Sequence, residues 1–241
     1  MIRIFSICYC AIIITFSGFA QQTVTVDYAL DYYGFTEHKI ITDNDTITYY
    51  LKKYTSKPKN LVLFIQGTDP FPIFFYQIKD DGTPRLTRFF NDDYKTLDSN
   101  YTYAMVAKPG LSGIFNKDGF EIPQKYYERN YKEYRVNQVD KTIEDIKKNH
   151  LENPEKIIVY GHSEGAQIAA ALGRVNKSIT HLGFWSGNVL NNFYEFTLFE
   201  RLEARNGYQT DSAAHAHIME LLRWYDAIID YPNSTKKDDW G

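Results

Sequence analysis

The chain contains three uninterrupted apolar runs, at residues 61–65, 103–107 and 157–160, and each is followed by a turn sequence. Uninterrupted runs of this length are typical of strands that are covered on both faces, as in a parallel sheet. A shorter run at 182–185 predicts a fourth buried strand.

Apolar residues at helical spacing fill much of the remaining chain and predict that helices alternate with these strands. The predicted helices span residues 135–150, 166–172, 193–205 and 212–229.

The N-terminal part shows the period-two alternation of strands instead. Residues 23–28 predict a half-buried edge strand, and residues 38–42 and 46–51 predict a hairpin around the turn cluster 43–45. An antiparallel start followed by strand–helix–strand units indicates an α/β fold. We therefore expect a mixed, mostly parallel sheet with flanking helices, antiparallel N-terminal strands and a helical C-terminal region.

Composition narrows the function classes. The 241 residues are 44% hydrophobic and 24% charged, which is typical of one globular domain. The formal net charge is −3 and both signs are mixed along the chain, so no nucleic-acid partner is expected. The 20 tyrosines and 16 phenylalanines suit a packed core, with a cleft for aryl groups as the alternative.

The first twenty residues resemble a targeting signal. Arg3 precedes an apolar run at 4–16, and Gly18 and Ala20 are small residues at the −3 and −1 positions of a cleavage site. Cleavage near Ala20 predicts an exported protein, periplasmic or extracellular, without stable membrane insertion; an uncleaved anchor is the alternative. Both cysteines lie in this segment, so the mature chain would hold no disulfide and no cysteine-ligated metal.

The pattern Gly161-x-Ser163-x-Gly165 lies between a predicted buried strand and an alanine-rich predicted helix. A sharp strand-to-helix turn pushes the serine hydroxyl out above the sheet, and glycines two residues either side leave room for the neighbouring backbone. The helix N-terminus favours an oxyanion. A glycine-rich turn with an incidental serine is the alternative.

This strand, turn and helix resemble the nucleophile elbow of the α/β-hydrolase fold esterases, lipases and serine peptidases. Gln66-Gly67-Thr68, after the first buried run, is similar to the oxyanion loop of that family. The resemblance implies that Ser163 is the catalytic nucleophile and that the backbone amides of Thr68 and Glu164 form the oxyanion hole. It implies a small-molecule or peptide substrate and neither cofactor nor metal.

The resemblance fails after the serine, where the family places an acid and then a histidine on later strands. The helices at 193–229 are similar to a family lid, so we expect an incomplete hydrolase. We divide the chain into a signal peptide (1–20), a hydrolase core (21–190) and a lid-like segment (191–241).

The histidines within the chain are weak candidates for the missing base. His162 adjoins the serine on the elbow, and His215 and His217 are expected to be exposed on the lid-like helix. Two hypotheses remain: an exported serine hydrolase that is impaired in this chain, or a non-catalytic binding protein on a hydrolase scaffold. The sequence specifies neither the substrate nor the oligomeric state.

Overall fold

The computed structural model describes residues 24–42, 45–54, 56–89, 93–116, 120–187 and 192–231. In chain order the helices and strands are α1 (Val26–Tyr33), β1 (Phe35–Thr42), β2 (Asp45–Lys52), β3 (Asn60–Ile65), β4 (Phe74–Ile78), β5 (Pro84–Arg88), β6 (Tyr101–Val106), β7 (Ile114–Asn116), α2 (Gln124–Arg129), α3 (Lys132–Asn149), β8 (Lys156–His162), α4 (Glu164–Val175), β9 (His181–Trp185), α5 (Asn192–Arg205) and α6 (Asp211–Asp230).

Six of the strands form the main sheet in the order β1-β2-β6-β3-β8-β9. The pairs β1–β2 and β2–β6 are antiparallel, whereas β6, β3, β8 and β9 run parallel to one another. The predicted fold class is therefore confirmed. The parallel arrangement brings the carboxyl ends of β3, β6 and β8, and the loops that follow them, to one edge of the sheet.

The two faces of the central strand β3 pack into two separate cores. Leu63 and its period-two neighbours belong to one buried cluster with Val139 and Ile143 of α3 and Leu172 of α4. The alternate residues, including Phe64, belong to a second cluster with α1 and the chain around β4. Because every residue of β3 is buried, its uninterrupted apolar run reflects a strand covered on both sides.

A second, three-stranded sheet in the order β5-β4-β7 adjoins this second core. The sequence analysis did not predict it. Its strands are five, five and three residues long, and their burial patterns mix buried, half-buried and exposed positions. Short strands of this kind leave too little alternation for a periodicity argument.

The predicted edge strand at residues 23–28 is wrong, since helix α1 begins at Val26. Thr25 caps this helix, because its Oγ1 accepts a hydrogen bond from the Tyr28 amide at 3.3 Å. Gly34 ends it in the left-handed conformation, with φ 74°. The cap, and the burial of Ala29 and Leu30 against the second core, outweigh the alternation.

Strand β9 forms where residues 182–185 predicted it, but the prediction of burial is wrong. Leu182, Phe184 and Trp185 are 39%, 58% and 54% exposed. Among the described strands β9 is the last in the sheet order and pairs only with β8. One edge and much of both faces of this strand are therefore open to solvent.

The C-terminal helices α5 and α6 pair with each other, and both agree with the predicted helices. The rings of Phe193 and Tyr225 stack with centroids 4.0 Å apart, and His217 contacts Glu200 at 3.0 Å. The predicted signal peptide and the last ten residues lie outside the described residues. None of the helices that the structure describes has the length and apolarity needed to cross a membrane.

Candidate active site

The candidate site is built on the turn between β8 and α4. Ser163 has φ 56° and ψ −124°, a backbone conformation that residues with a side chain rarely adopt. Its amide donates a hydrogen bond to the Trp185 carbonyl at 2.9 Å, and its carbonyl accepts from the Ala166 amide at 2.9 Å. The strain is thus held in place by β9 on one side and by α4 on the other.

The two glycines of the motif are required by backbone contacts. A Cβ atom on Gly161 would lie 2.0 Å from the Gly165 carbonyl oxygen, and a Cβ atom on Gly165 would lie 2.2 Å from the Ile65 carbonyl oxygen. Neither space can hold a methyl group. The glycines therefore permit the tight turn and the close approach of α4 to β3.

The loop after β3 reaches the same place. A Cβ atom on Gly67 would lie 3.0 Å from Ser163 Cβ and 3.5 Å from Ser163 Oγ. The next residue, Thr68, is exposed, whereas Gln66 is 2% exposed. The structure thus brings together Gly67, Thr68, Ser163 and Glu164, which the sequence analysis had assigned to one site.

Two buried side chains hold the carbonyl groups of this loop. The Tyr126 hydroxyl donates to the Thr68 carbonyl, and the Lys108 ammonium donates to the Asp69 carbonyl. Lys108 is 2% exposed and lies two residues after the end of β6. The sequence analysis missed both residues, although Lys108 lies just beyond a run that was recognised as a buried parallel strand.

A group of buried charges lies beneath the turn. Burial, together with the charge of Arg135, lowers the pKa of Lys108 to about 7, while the charges of Asp69 and Glu164 oppose the change. Burial also lowers the pKa of Arg135, which is 0% exposed. The Glu164 carboxylate acts on Arg135 electrostatically, and its Oε2 has no hydrogen-bond partner among the described residues.

No described side chain donates to or accepts from Ser163 Oγ. His215 and His217 are exposed on α6, as expected, and His217 is paired with Glu200. His162 contacts the Trp185 ring, with centroids 6.3 Å apart. Among the described residues, no group of three or more His, Cys, Asp or Glu side chains is arranged to hold a metal ion.

The mostly parallel sheet, and the strained serine turn between its strand β8 and helix α4, decide the fold. The chain has the fold of the α/β-hydrolases. In this fold the amide after the nucleophile and an amide from the loop after the third strand face the reacting carbonyl. In this chain Glu164 directly follows Ser163, and Thr68 lies on the loop after β3.

No protein-family model matches the chain, and no curated protein matches its sequence. Solved structures do show similarity. The acylaminoacyl peptidase of Pyrococcus horikoshii is 10% identical with a TM-score of 0.49, covering 68% of this chain and 24% of its own. A thioesterase domain from the curacin biosynthetic pathway is 14% identical with a TM-score of 0.43, covering 73% of this chain and 55% of its own.

A cold-adapted esterase from an Arctic intertidal metagenomic library is 12% identical with a TM-score of 0.40, covering 61% of this chain and 58% of its own. The chain therefore spans little more than half the length of these esterase and thioesterase structures, and a quarter of the peptidase. Their similarity carries no argument about the substrate of this chain.

Proposed function

We propose that the protein is a serine hydrolase that cleaves an ester or peptide bond through an acyl-enzyme on Ser163. The observation that carries this proposal is the conformation of Ser163, at φ 56° between strand β8 and helix α4. Backbone strain persists only where the surrounding structure enforces it, and it concentrates at functional sites. Here two glycines and the hydrogen bond to β9 enforce it.

The reaction proceeds in two steps. Ser163 Oγ attacks the substrate carbonyl, and the amides of Thr68 and Glu164 stabilise the oxyanion that forms. The ester or amide bond breaks as the alcohol or amine leaves with the proton that Ser163 Oγ gave up, and water then hydrolyses the acyl-enzyme, which releases the acid and restores the serine hydroxyl. Loss of one oxyanion donor costs roughly 3–4 kcal/mol of transition-state stabilisation in a well-studied serine hydrolase.

Labelling with a fluorophosphonate probe tests this proposal. The probe forms a covalent bond with activated serines, so we expect labelling of the protein that Ser163→Ala abolishes. Ser99→Ala is a matched control, because Ser99 is an exposed serine in a turn. Labelling that survives Ser163→Ala, with the modified peptide mapping elsewhere, would refute the role of Ser163.

A second function, a non-catalytic binding protein on the hydrolase scaffold, is favoured by one observation. Ser163 Oγ makes no hydrogen bond with a described side chain, and general-base activation needs a base within about 2.6–3.2 Å. This function predicts no turnover of p-nitrophenyl acetate above the Ser163→Ala background. Turnover that depends on Ser163 would exclude it.

We also propose that the protein is exported after cleavage near Ala20. The support is the charged start, the apolar run and the small residues at the cleavage positions. N-terminal sequencing of protein from the periplasm or culture medium is expected to begin at Gln21. Retention of Met1 on a membrane-bound product would contradict this proposal.

A further inference from the structure

A directed chain of hydrogen bonds ends on the loop that carries Thr68. Arg135 Nη1 donates to Asn130 Oδ1 at 3.0 Å, and Asn130 Nδ2 donates to the Tyr126 hydroxyl at 3.1 Å. The Tyr126 hydroxyl in turn donates to the Thr68 carbonyl. We refer to Arg135, Asn130 and Tyr126 as the relay.

The direction of the relay follows from its chemistry. A guanidinium group can only donate, so the oxygen of the Asn130 amide must face Arg135. The amide nitrogen is then left to face Tyr126 Oη, which accepts this bond and has its own proton free for the Thr68 carbonyl. Because the first donor is charged, each following bond is polarised in the same sense.

Because the relay is buried, it is not expected to contribute much to the stability of the fold. Arg135 is 0% exposed, and its Nε and Nη2 have no hydrogen-bond partner among the described residues. Tyr126 is 6% exposed. Burying a charge with incomplete partners is unfavourable, and an apolar residue of similar volume often contributes more to stability. The benefit of this arrangement is therefore the placement of the group at its end.

That group lies on the candidate oxyanion loop. A peptide unit is planar, so holding the Thr68 carbonyl fixes the peptide plane on the C-terminal side of Thr68. On the N-terminal side Gly67 packs against Ser163. Lys108 holds the next carbonyl, that of Asp69. The peptide units on either side of Asp69 are thus held, and they restrict the backbone that directly follows the Thr68 amide.

We infer that the relay, assisted by Lys108, sets the conformation of the Thr68–Asp69 loop and so positions the Thr68 amide for the oxyanion. The catalytic part of this inference rests on the proposed function. Arg135, Asn130 and Tyr126 are positioning residues, since none of them needs to touch the substrate. The charge of the Glu164 carboxylate also acts on Arg135.

Tyr126→Phe tests the inference because it removes the last donor and keeps the ring. Tyr127→Phe is the matched control, since Tyr127 is the adjacent tyrosine and is 63% exposed. Amide hydrogen exchange is measured on peptides that cover residues 66–70. The rate of labelling by a fluorophosphonate is separated into the affinity for the probe and the first-order rate constant.

We expect Tyr126→Phe to accelerate exchange in residues 66–70 and to lower the first-order labelling constant about tenfold, at unchanged probe affinity and with a melting temperature near that of the parent. Asn130→Leu, which breaks the relay one step earlier, should reproduce both effects. Tyr127→Phe should change neither.

The outcomes test the role of the relay and the proposed function separately. Unchanged exchange in Tyr126→Phe overturns the inference. If the parent is labelled at Ser163, faster exchange in Tyr126→Phe with the same first-order labelling constant as the parent overturns it as well. If the parent protein is not labelled at Ser163, the proposed function fails. The exchange experiment then still decides whether the relay holds the loop.

Discussion

Replacing Gly165 with alanine places a methyl group between helix α4 and strand β3. The new Cβ would lie 2.2 Å from the Ile65 carbonyl oxygen, 2.8 Å from the Gln66 carbonyl oxygen and 2.9 Å from the Ile65 carbonyl carbon. An ordinary contact between carbon and a carbonyl oxygen is about 3.3–3.6 Å. The helix must therefore move by roughly an ångström, because every obstructing atom is backbone.

The cost falls on stability first. Ile65 is fully buried and its strand is paired on both sides, so β3 cannot yield. Extra methyl groups in a packed interior cost about 1–3 kcal/mol, and we expect the upper end because backbone opposes backbone. For a domain of this size 1 kcal/mol corresponds to about 2–4 °C, so the melting temperature should fall by roughly 6–12 °C.

The control is Gly113→Ala. A Cβ atom on Gly113 would have no heavy atom within 4 Å, and its φ is not in the left-handed region. Loss of backbone freedom in the unfolded chain should make this variant neutral or stabilise it by about 0.4–1 kcal/mol. Both variants differ from the parent by one methyl group.

Thermal unfolding followed by circular dichroism, together with the rate of labelling at Ser163, measures both consequences. Gly165→Ala should also slow labelling, since α4 begins directly after the serine and carries it along. A melting temperature of Gly165→Ala within about 1 °C of that of Gly113→Ala would refute the close approach of α4 to β3. Even a cost of 1 kcal/mol would lower the melting temperature by more than about 1 °C.

Two further predictions concern pH. Burial lowers the pKa of Lys108 to about 7, so above that pH the unfolded chain binds more protons than the folded chain. The free energy of unfolding should therefore rise with pH between about 7 and 10, by at most about 1.4 kcal/mol per pH unit. Urea titrations of Lys108→Met should show no such rise. Burial raises the pKa of Asp45, but hydrogen bonds from Lys125 and Tyr134 outweigh burial and hold this pKa at about 2. The protein should therefore lose stability as the pH falls from about 4 to 2. Asp45→Asn should remove this contribution to the loss of stability in acid.

The sequence by itself determined the centre of the fold. The runs that became β3 and β6 are apolar throughout because both faces of each strand are buried, whereas the run in β8 has one buried and one half-buried face. The serine turn was also visible in the sequence, since Gly161 is required by a contact with Gly165, only four residues away. Local constraints of this kind leave local signals.

The error at α1 has a local cause of another sort. Residues 23–28 alternate as a strand does, but the Thr25 cap and the end at Gly34 lie at the two limits of a helix. The six residues that alternate, 23–28, end before Gly34 and so do not include the C-terminal end of the helix. Longer patterns, such as those of α3, α5 and α6, were assigned correctly because they contain several helical turns.

Only the tertiary structure decided what surrounds Ser163. Tyr126 and Lys108 meet the Thr68–Asp69 loop across separations of 58 and 39 residues, and no pattern in the sequence records such a meeting. The exposure of β9 was also decided there, because burial depends on which elements lie beside a strand and not on its own composition. Periodicity reports the environment of an element along the chain, whereas a site is assembled from side chains that the folded topology brings together.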